Sequence, residues 1–297
     1  MNYTNPPLGI PDLIAVLKAK GLEIADEKKA ESFLENVSYF RFDAYLRPME
    51  RTDGHAGFKP GASFEKAVSL YEFDSRLRLL VFSAIQKIEV SLRSKIINRF
   101  SLAHGAFWFM DAEKAVDKHK FTENLGTLER ELQRSKDDFI KEHYEKYGKD
   151  SFPPAWKLLD LASFGCLTKL YFNFADIPIK KKIARSYGVP QHEILESWMK
   201  AVNALRNACA HHGRIWNRAM PVMPQMPVSL RQAWIADRPQ VANRFYAVFC
   251  CMAYWLNAVA PGNTLTADFK KLLTEYPNVD TAAMGFPPRW KEEDLWK

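Results

Sequence analysis

The amino-acid sequence predicts an all-α fold, a helical bundle with an N-terminal helical extension and a charged helical hairpin inserted into it. From Phe64 to Ser101 apolar residues recur every three or four positions, which is the period of one buried helical face. No long segment alternates apolar and polar residues as a strand would, and no internal repeat is present. Proline and glycine stand where helices begin and end.

Two short helices are expected near the N-terminus. The first runs from Pro11, which suits a first helical turn, to Lys20, and Gly21 ends it. The second covers residues 26–38, where Asp26 can cap the first backbone N–H groups. Because these helices precede the long one, they form the N-terminal extension.

An aromatic stretch and the longest helix come next. Residues 39–48 are expected to pack on the helical body, and a glycine-rich loop then leads into the helix that begins at Phe64. Basic residues lie between the apolar positions of that helix. They form either a solvated face with pairs such as Glu89 and Arg93, four residues apart, or a basic wall beside a nucleic-acid site.

The middle of the chain is more strongly charged. Residues 111–150 predict an amphipathic helical hairpin on the surface, which we interpret as an insertion. A helix is expected from Pro153 to Leu170. The basic run Lys180–Lys182 with Arg185 is either a solvated patch or a contact for an RNA backbone.

Two further helices are expected at 191–218 and 241–260, separated by a proline- and methionine-rich loop. The apolar run 245–260 is too short for a membrane span and favours a buried core helix. The tail, 277–297, is expected to pack on the body. The predicted organisation is an extension at 1–62, a core at 63–262 and a tail at 263–297.

The composition favours a cytoplasmic protein with an anionic partner. Lys and Arg number 42 against 35 Asp and Glu, a net charge of +7, which raises the expectation of nucleic-acid contact. The four cysteines lack paired spacing and indicate reduced thiols, with no metal site. Residues 1–7 carry no signal-peptide pattern, and no cofactor motif is present.

One segment, 205–218, carries groups suited to catalysis. Placed on a helix, it puts His212 on an apolar stripe and gathers Asn207, His211, Arg214 and Arg218 on the opposite face. An imidazole can move a proton at neutral pH, and a guanidinium can stabilise a pentavalent phosphorane. These groups suffice for metal-independent RNA cleavage by 2′-hydroxyl attack. A structural histidine is the alternative interpretation.

The same segment carries a family resemblance. Arg206-Asn207-x-x-x-His211 resembles the R-x(4–6)-H signature of HEPN-superfamily ribonucleases, and 205–217 resembles the Abi-like (AbiD/AbiF) proteins. Blocks at 39–45, 71–78, 88–93 and 284–287 are also similar to that family. The resemblance implies a HEPN-like helical bundle, ribonuclease activity, a role in phage defence by abortive infection or in a toxin–antitoxin system, and a homodimer that pairs two motifs.

The expected function is an endoribonuclease toxin that cleaves single-stranded RNA. The alternative is a non-catalytic protein that holds a structured noncoding RNA, and a third hypothesis is an interaction scaffold with a buried His211. The resemblance implies that Arg206, Asn207 and His211 are catalytic. Supporting residues are His212 and Arg214, and the expected RNA-binding residues are Arg76, Arg93, Lys181 and Arg218.

Overall fold

The computed structural model describes residues 7–148, 151–237 and 243–297, and these ranges form an all-α fold with isolated β-bridges but no β-strand. The predicted fold class is therefore confirmed. The α-helices of the described chain are α1 (Ile10–Ala19), α2 (Glu27–Asn36), α3 (Tyr39–Leu46), α4 (Phe64–His104), α5 (Lys118–Arg134), α6 (Asp138–Tyr147), α7 (Ala155–Leu161), α8 (Phe164–Asn173), α9 (Ile177–Arg185), α10 (His192–Ala210), α11 (Phe245–Val259) and α12 (Leu265–Glu275).

Backbone proximity divides the chain into two compact units. One comprises the residues up to Leu77 with Lys271–Val279, and the other comprises Arg78–Lys270 with Asp280–Lys297. The subdivision expected from sequence, with its extension, insertion and tail, is of a different kind and stays a prediction. Residues 1–6, on which the absence of a signal peptide was argued, lie outside the described residues.

The smaller unit is held together by an aromatic cluster. The stretch that follows α2 forms α3, and Phe42 packs edge-on against Phe33 of α2 with ring centroids 4.9 Å apart. The Tyr45 hydroxyl donates a buried hydrogen bond of 2.6 Å to the Asp74 carboxylate. Asp26 caps α2 by accepting from the Lys29 backbone N–H at 3.0 Å, as its position in the sequence predicts.

The larger unit is built around α11, in which every residue from Phe245 to Leu256 is buried. This confirms the interpretation of the apolar run as a core helix, and no described helix has the length and apolar character that a membrane crossing requires. α10 packs against α8, α9 and α11. Near the end of the chain, Trp296 stacks on Phe249 of α11 with ring centroids 5.1 Å apart.

Several predicted helix limits are wrong. The helix expected over 153–170 is two helices, because Ala162 is extended and the Ser163 hydroxyl starts α8 by accepting from the Cys166 N–H. The helix expected from Val241 begins at Phe245, and Val241 itself lies outside the described residues. The largest difference concerns α10, which was expected to reach residue 218 and ends at Ala210.

The charged segment does form two helices, α5 and α6. α5 is not loosely attached, since it packs on α7 and α8 and buries Leu128 and Leu132. Its leucines were recognised as an apolar face from their spacing. Whether the segment is an insertion stays a prediction.

Candidate functional site

The end of α10 is a Schellman turn that places a histidine where glycine is usual. His212 adopts the left-handed region with φ 55°, and its N–H donates to the Cys209 carbonyl at 3.1 Å. The Gly213 N–H then donates to the Ala208 carbonyl at 2.7 Å. These two hydrogen bonds satisfy carbonyls that the helix end would otherwise leave free, so α10 stops at Ala210.

This turn changes the predicted positions of both histidines. His211 is the helix C-cap, with φ −93° and ψ 16°, and its side chain is exposed. His212 was expected on the apolar stripe and is exposed as well, because the chain leaves the helical path before it. The helical-wheel argument for residues beyond Ala210 is therefore wrong, although its conclusion that His211 faces solvent is right. The scaffold hypothesis that required a buried His211 loses its premise.

The loop after the turn is anchored by buried side chains. Ile215 is fully buried and Trp216 is 3% exposed, so the loop is held against the body of the larger unit. Asn217 has φ 45°, a second non-glycine residue in the left-handed region. Farther on, the Met220 N–H donates to the Asn243 carbonyl at 2.8 Å. The loop is thus fixed between Arg214 and Arg218 and again after Arg218.

The turn and the loop together form a cleft of about 380 Å³. Its polar lining consists of Asn207, His211, Arg214 and Arg218. Asn207, His211 and Arg218 are exposed and Arg214 is half-buried. Four of the residues predicted on one helical face therefore do share a site, but three of them reach it from the turn and loop rather than from the helix.

Gly213 allows the loop to pass close to α10. A Cβ at this position would lie 3.2 Å from the Ala208 carbonyl oxygen and 3.4 Å from Nη1 of Arg218. The distance to the Ala208 carbonyl oxygen is short for a carbon atom, so a side chain here would require the loop or the end of α10 to shift. Nη1 of Arg218 also donates to the Arg214 carbonyl at 3.3 Å, which holds the two arginines of the cleft together. Sequence reasoning missed this glycine, although a glycine just past a helical pattern is a stop signal.

Arg206 does not line the cleft of its own chain. Its guanidinium carbon lies 5.9 Å from the centroid of the Phe82 ring on α4, and its Nη1 lies 3.5 Å from Oδ1 of Asn207. Arg206 therefore contacts the site through Asn207. The position of Arg206 agrees with helix geometry, because residues five apart, such as Arg206 and His211, lie far apart around an ideal helix.

A family model described as "Abi-like protein" matches residues 32–217, more than half of the chain and all of the α10 turn. The chain belongs to the Abi-like protein family. The family points to an abortive-infection protein. No curated protein and no solved structure matches the chain.

Two residues of the Abi-like chain that are expected to bind RNA have partners within the protein, and their RNA contact stays a prediction. Arg76 forms an ion pair with Glu275, and the hydrogen bonds that its guanidinium donates to Tyr276 and Glu275 raise its pKa. Arg93 donates to the carbonyls of Leu159, Asp160 and Ala162, the last at 2.7 Å, at the junction of α7 and α8. Such multiple bonding indicates a structural role for Arg93.

The pair predicted between Glu89 and Arg93 is confirmed at 2.8 Å, with both side chains mostly buried. The alternative of a solvated face therefore does not describe Arg93 either, because its charge is used within the protein. Neither open interpretation of the α4 basic residues anticipated this. A spacing of four shows that two side chains can meet, but not what else they contact.

The basic run on α9 is divided between surface and core. Lys181 is exposed, as an RNA contact requires, whereas Lys180 is 3% exposed. The Lys180 ammonium donates to Glu196 of α10 and to the Phe172 carbonyl, both at 3.0 Å. Burial lowers the pKa of Lys180, and the Glu196 carboxylate opposes that shift. Lys180 therefore joins α9 to the helix that carries the site.

The cysteines and histidines offer no metal cluster in the described ranges. All four cysteines are free and buried, and burial raises the pKa of the Cys166 thiol to about 12. Such thiols are poor nucleophiles at neutral pH because the thiolate is the reactive form. The polar side chains that line the cleft supply one imidazole, two guanidinium groups and one amide, and no thiol.

Proposed function

We propose that this Abi-like protein is a metal-independent endoribonuclease toxin that cleaves single-stranded RNA in the cytoplasm. One observation carries the proposal: an exposed imidazole, that of His211, shares a cleft with the guanidinium groups of Arg214 and Arg218. The cleft thus combines a proton carrier with two groups that can hold a phosphate. The family, which points to abortive infection, supports a toxin role.

The proposed reaction uses the 2′-hydroxyl of the RNA itself as the nucleophile. His211 removes the hydroxyl proton while the 2′-oxygen attacks the adjacent phosphorus, and the bond from phosphorus to the 5′-oxygen breaks. The imidazolium then returns the proton to the leaving 5′-oxygen. The products carry a 2′,3′-cyclic phosphate and a 5′-hydroxyl, and no water or metal enters this step.

The arginines act on charge that develops during the attack. The pentavalent phosphorane carries more negative charge on its equatorial oxygens than the starting diester, and a guanidinium held nearby stabilises that charge. Arg218 is exposed and fixed to the Arg214 carbonyl, so it can meet a phosphate without a large loss of side-chain entropy. Asn207 orients the imidazole or a phosphate oxygen.

We further propose that Arg206 acts in a homodimer, on the cleft of the second copy. Its guanidinium does not line its own cleft, while the resemblance to two-motif ribonucleases implies that two copies meet. Mixing Arg206→Ala and His211→Ala variants tests this arrangement. Activity returns in the mixture only if one copy's arginine serves the other copy's histidine, and a mixture as inactive as its parts would refute the arrangement.

The activity test compares His211→Ala with a matched histidine elsewhere. Wild type and variants are incubated with single-stranded RNA in EDTA, and product ends are identified by mass spectrometry. Loss of the proton carrier should lower the rate about 10²–10⁴-fold. His119 of α5 is 84% exposed, so His119→Ala should cleave at the wild-type rate.

The outcomes separate the rival functions. Equal cleavage by His211→Ala, or no cleavage by wild type, would overturn the ribonuclease proposal. RNA that binds with a steep salt dependence and remains intact would favour the non-catalytic protein that holds a noncoding RNA. In cells, expression of wild type should arrest growth and expression of His211→Ala should not.

A further inference from the structure

A second group of basic side chains lies in the larger unit at the end of α9. The Lys95 ammonium, on α4, donates to the Ser186 hydroxyl at 2.9 Å and lies 3.6 Å from the centroid of the Tyr187 ring. Arg99 follows Lys95 by one helical turn. Burial and the neighbouring Arg99 charge both lower the pKa of Lys95. Two cations of α4 therefore lie beside the C-terminal end of α9.

A pocket of about 420 Å³ opens in the same stretch of chain. Arg185, the last residue of α9, and Arg231, from the loop before α11, are both exposed and line it with Gly188, Pro190 and Ser229. Among the residues that the structure describes, no acidic side chain lines this pocket. We refer to Lys95, Arg99, Arg185 and Arg231 as the α9 basic surface.

The α9 basic surface is not neutralised by the protein. Within the described chain, none of its four members forms an ion pair with a carboxylate. Other basic side chains, such as Arg76, Arg93 and Lys180, do have acidic partners. A cation at a helix C-terminus is favourable in itself, which accounts for Arg185 but not for the residues of α4 or for Arg231. Like charges gathered without an acid favour an anionic ligand.

The α9 basic surface and the catalytic cleft lie at opposite ends of α10. Pro190 lines the basic pocket just before α10 begins, whereas Asn207 and His211 line the cleft where the helix ends. A helix of 19 residues is roughly 28 Å long at 1.5 Å per residue. A ligand that touched both ends would have to be an extended polyanion rather than a single phosphate.

We propose that the α9 basic surface binds the phosphate backbone of RNA outside the segment that occupies the cleft. The choice of RNA among polyanions rests on the proposed function, whereas the unneutralised charge does not. Guanidinium groups suit this role because they can donate two parallel hydrogen bonds to one phosphate. The surface would add affinity without reading sequence, because phosphate contacts position a strand but do not specify it.

Binding is tested with a fluorescent single-stranded RNA whose sugars are 2′-O-methylated, so that 2′-hydroxyl attack cannot occur. Anisotropy then reports affinity whether or not the protein is a ribonuclease. The double variant Arg185→Ala with Arg231→Ala should bind about tenfold more weakly. Its plot of log affinity against log salt should be shallower by about 1.4, because each lost contact to a single strand removes about 0.7.

The matched control removes the same charge elsewhere. Lys118 and Lys141 are exposed lysines paired with Glu113 and Asp138, and changing both to alanine should leave affinity and salt slope unchanged. Arg185→Lys with Arg231→Lys should keep most of the slope because the charge remains. Thermal melting verifies that each variant is folded.

Three results would overturn the proposal. The first is wild-type affinity and salt slope in Arg185→Ala with Arg231→Ala. The second is an equal loss of affinity when Lys118 and Lys141 are changed to alanine. The third is binding to vesicles of anionic lipid that depends on Arg185 and Arg231 while RNA binding does not, which would identify a membrane as the partner. Absence of cleavage, by contrast, bears only on His211 and the cleft.

Discussion

His212 offers a stability test of the turn that forms the site. A non-glycine residue in the left-handed region costs about 1–2 kcal/mol, and His212 has φ 55° there. Glycine adopts this conformation without that cost. Its greater conformational entropy in the unfolded chain, however, lowers the free energy of unfolding by about 0.5–1 kcal/mol. His212→Gly should therefore stabilise the protein by about 0.5–1 kcal/mol, and since the side chain is exposed, its removal sacrifices little burial.

Thermal unfolding measures the effect. For a unit of this size, such a gain raises Tm by about 1–4 °C. His212→Ala keeps a Cβ in the left-handed region, so its Tm should remain at or below the wild-type value. His211→Gly is the control for the adjacent position, where φ is −93° and glycine relieves no strain, so it should lower Tm. If His212→Gly unfolded below wild type while His212→Ala did not, the strain argument would be refuted.

The remaining predictions concern packing and charge. Gly213→Ala should cost about 1–3 kcal/mol and slow RNA cleavage, because its Cβ would meet the α10 backbone; melting and cleavage rates measure both effects. Glu196→Ala should lower the unfolding free energy by about 2–4 kcal/mol, because it leaves the Lys180 ammonium buried without a carboxylate and with only the Phe172 carbonyl as a partner. Adding Lys180→Met should recover most of that loss in melting experiments. Burial opposes ionisation of Asp176, but a backbone N–H of α9 and the His104 ring, 2.8 Å away, hold its pKa below 3.8. The stability that wild type gains over Asp176→Asn should thus be present above pH 3.8 and disappear as pH falls further, as acid titration of unfolding will show.

The two residues of the site with left-handed backbone each come shortly before an arginine of the cleft. His212 comes just before the loop that carries Arg214, and Asn217 comes just before Arg218. Strained backbone persists only where surrounding contacts maintain it, and here the buried Ile215 and Trp216 lie between the two residues. The burial of these side chains therefore supports the conformation that puts both arginines into the cleft.

Much of the fold followed from local pattern. The spacing of apolar residues in α4 predicted its buried face, and Asp26 predicted the start of α2, because periodicity and capping depend on residues a few positions apart. The apolar run in α11 predicted a core helix for the same reason. His211 and the arginines of the cleft were also identified from residue type and spacing, although the helical path assumed for them was wrong.

By itself, the sequence determined the all-α class, the core helices, the Abi-like family and the four polar residues that line the cleft. Only the tertiary structure decided where α10 ends and that His212 is exposed. It also decided that Lys180 is buried and that Arg93 donates hydrogen bonds to the α7–α8 junction. Helical periodicity reports interactions along one element, whereas the path of the chain after a helix end is fixed by side chains buried against other elements, here Ile215 and Trp216. A buried charge and a guanidinium's partners likewise depend on residues distant in the chain. Those contacts exist only after the elements have packed.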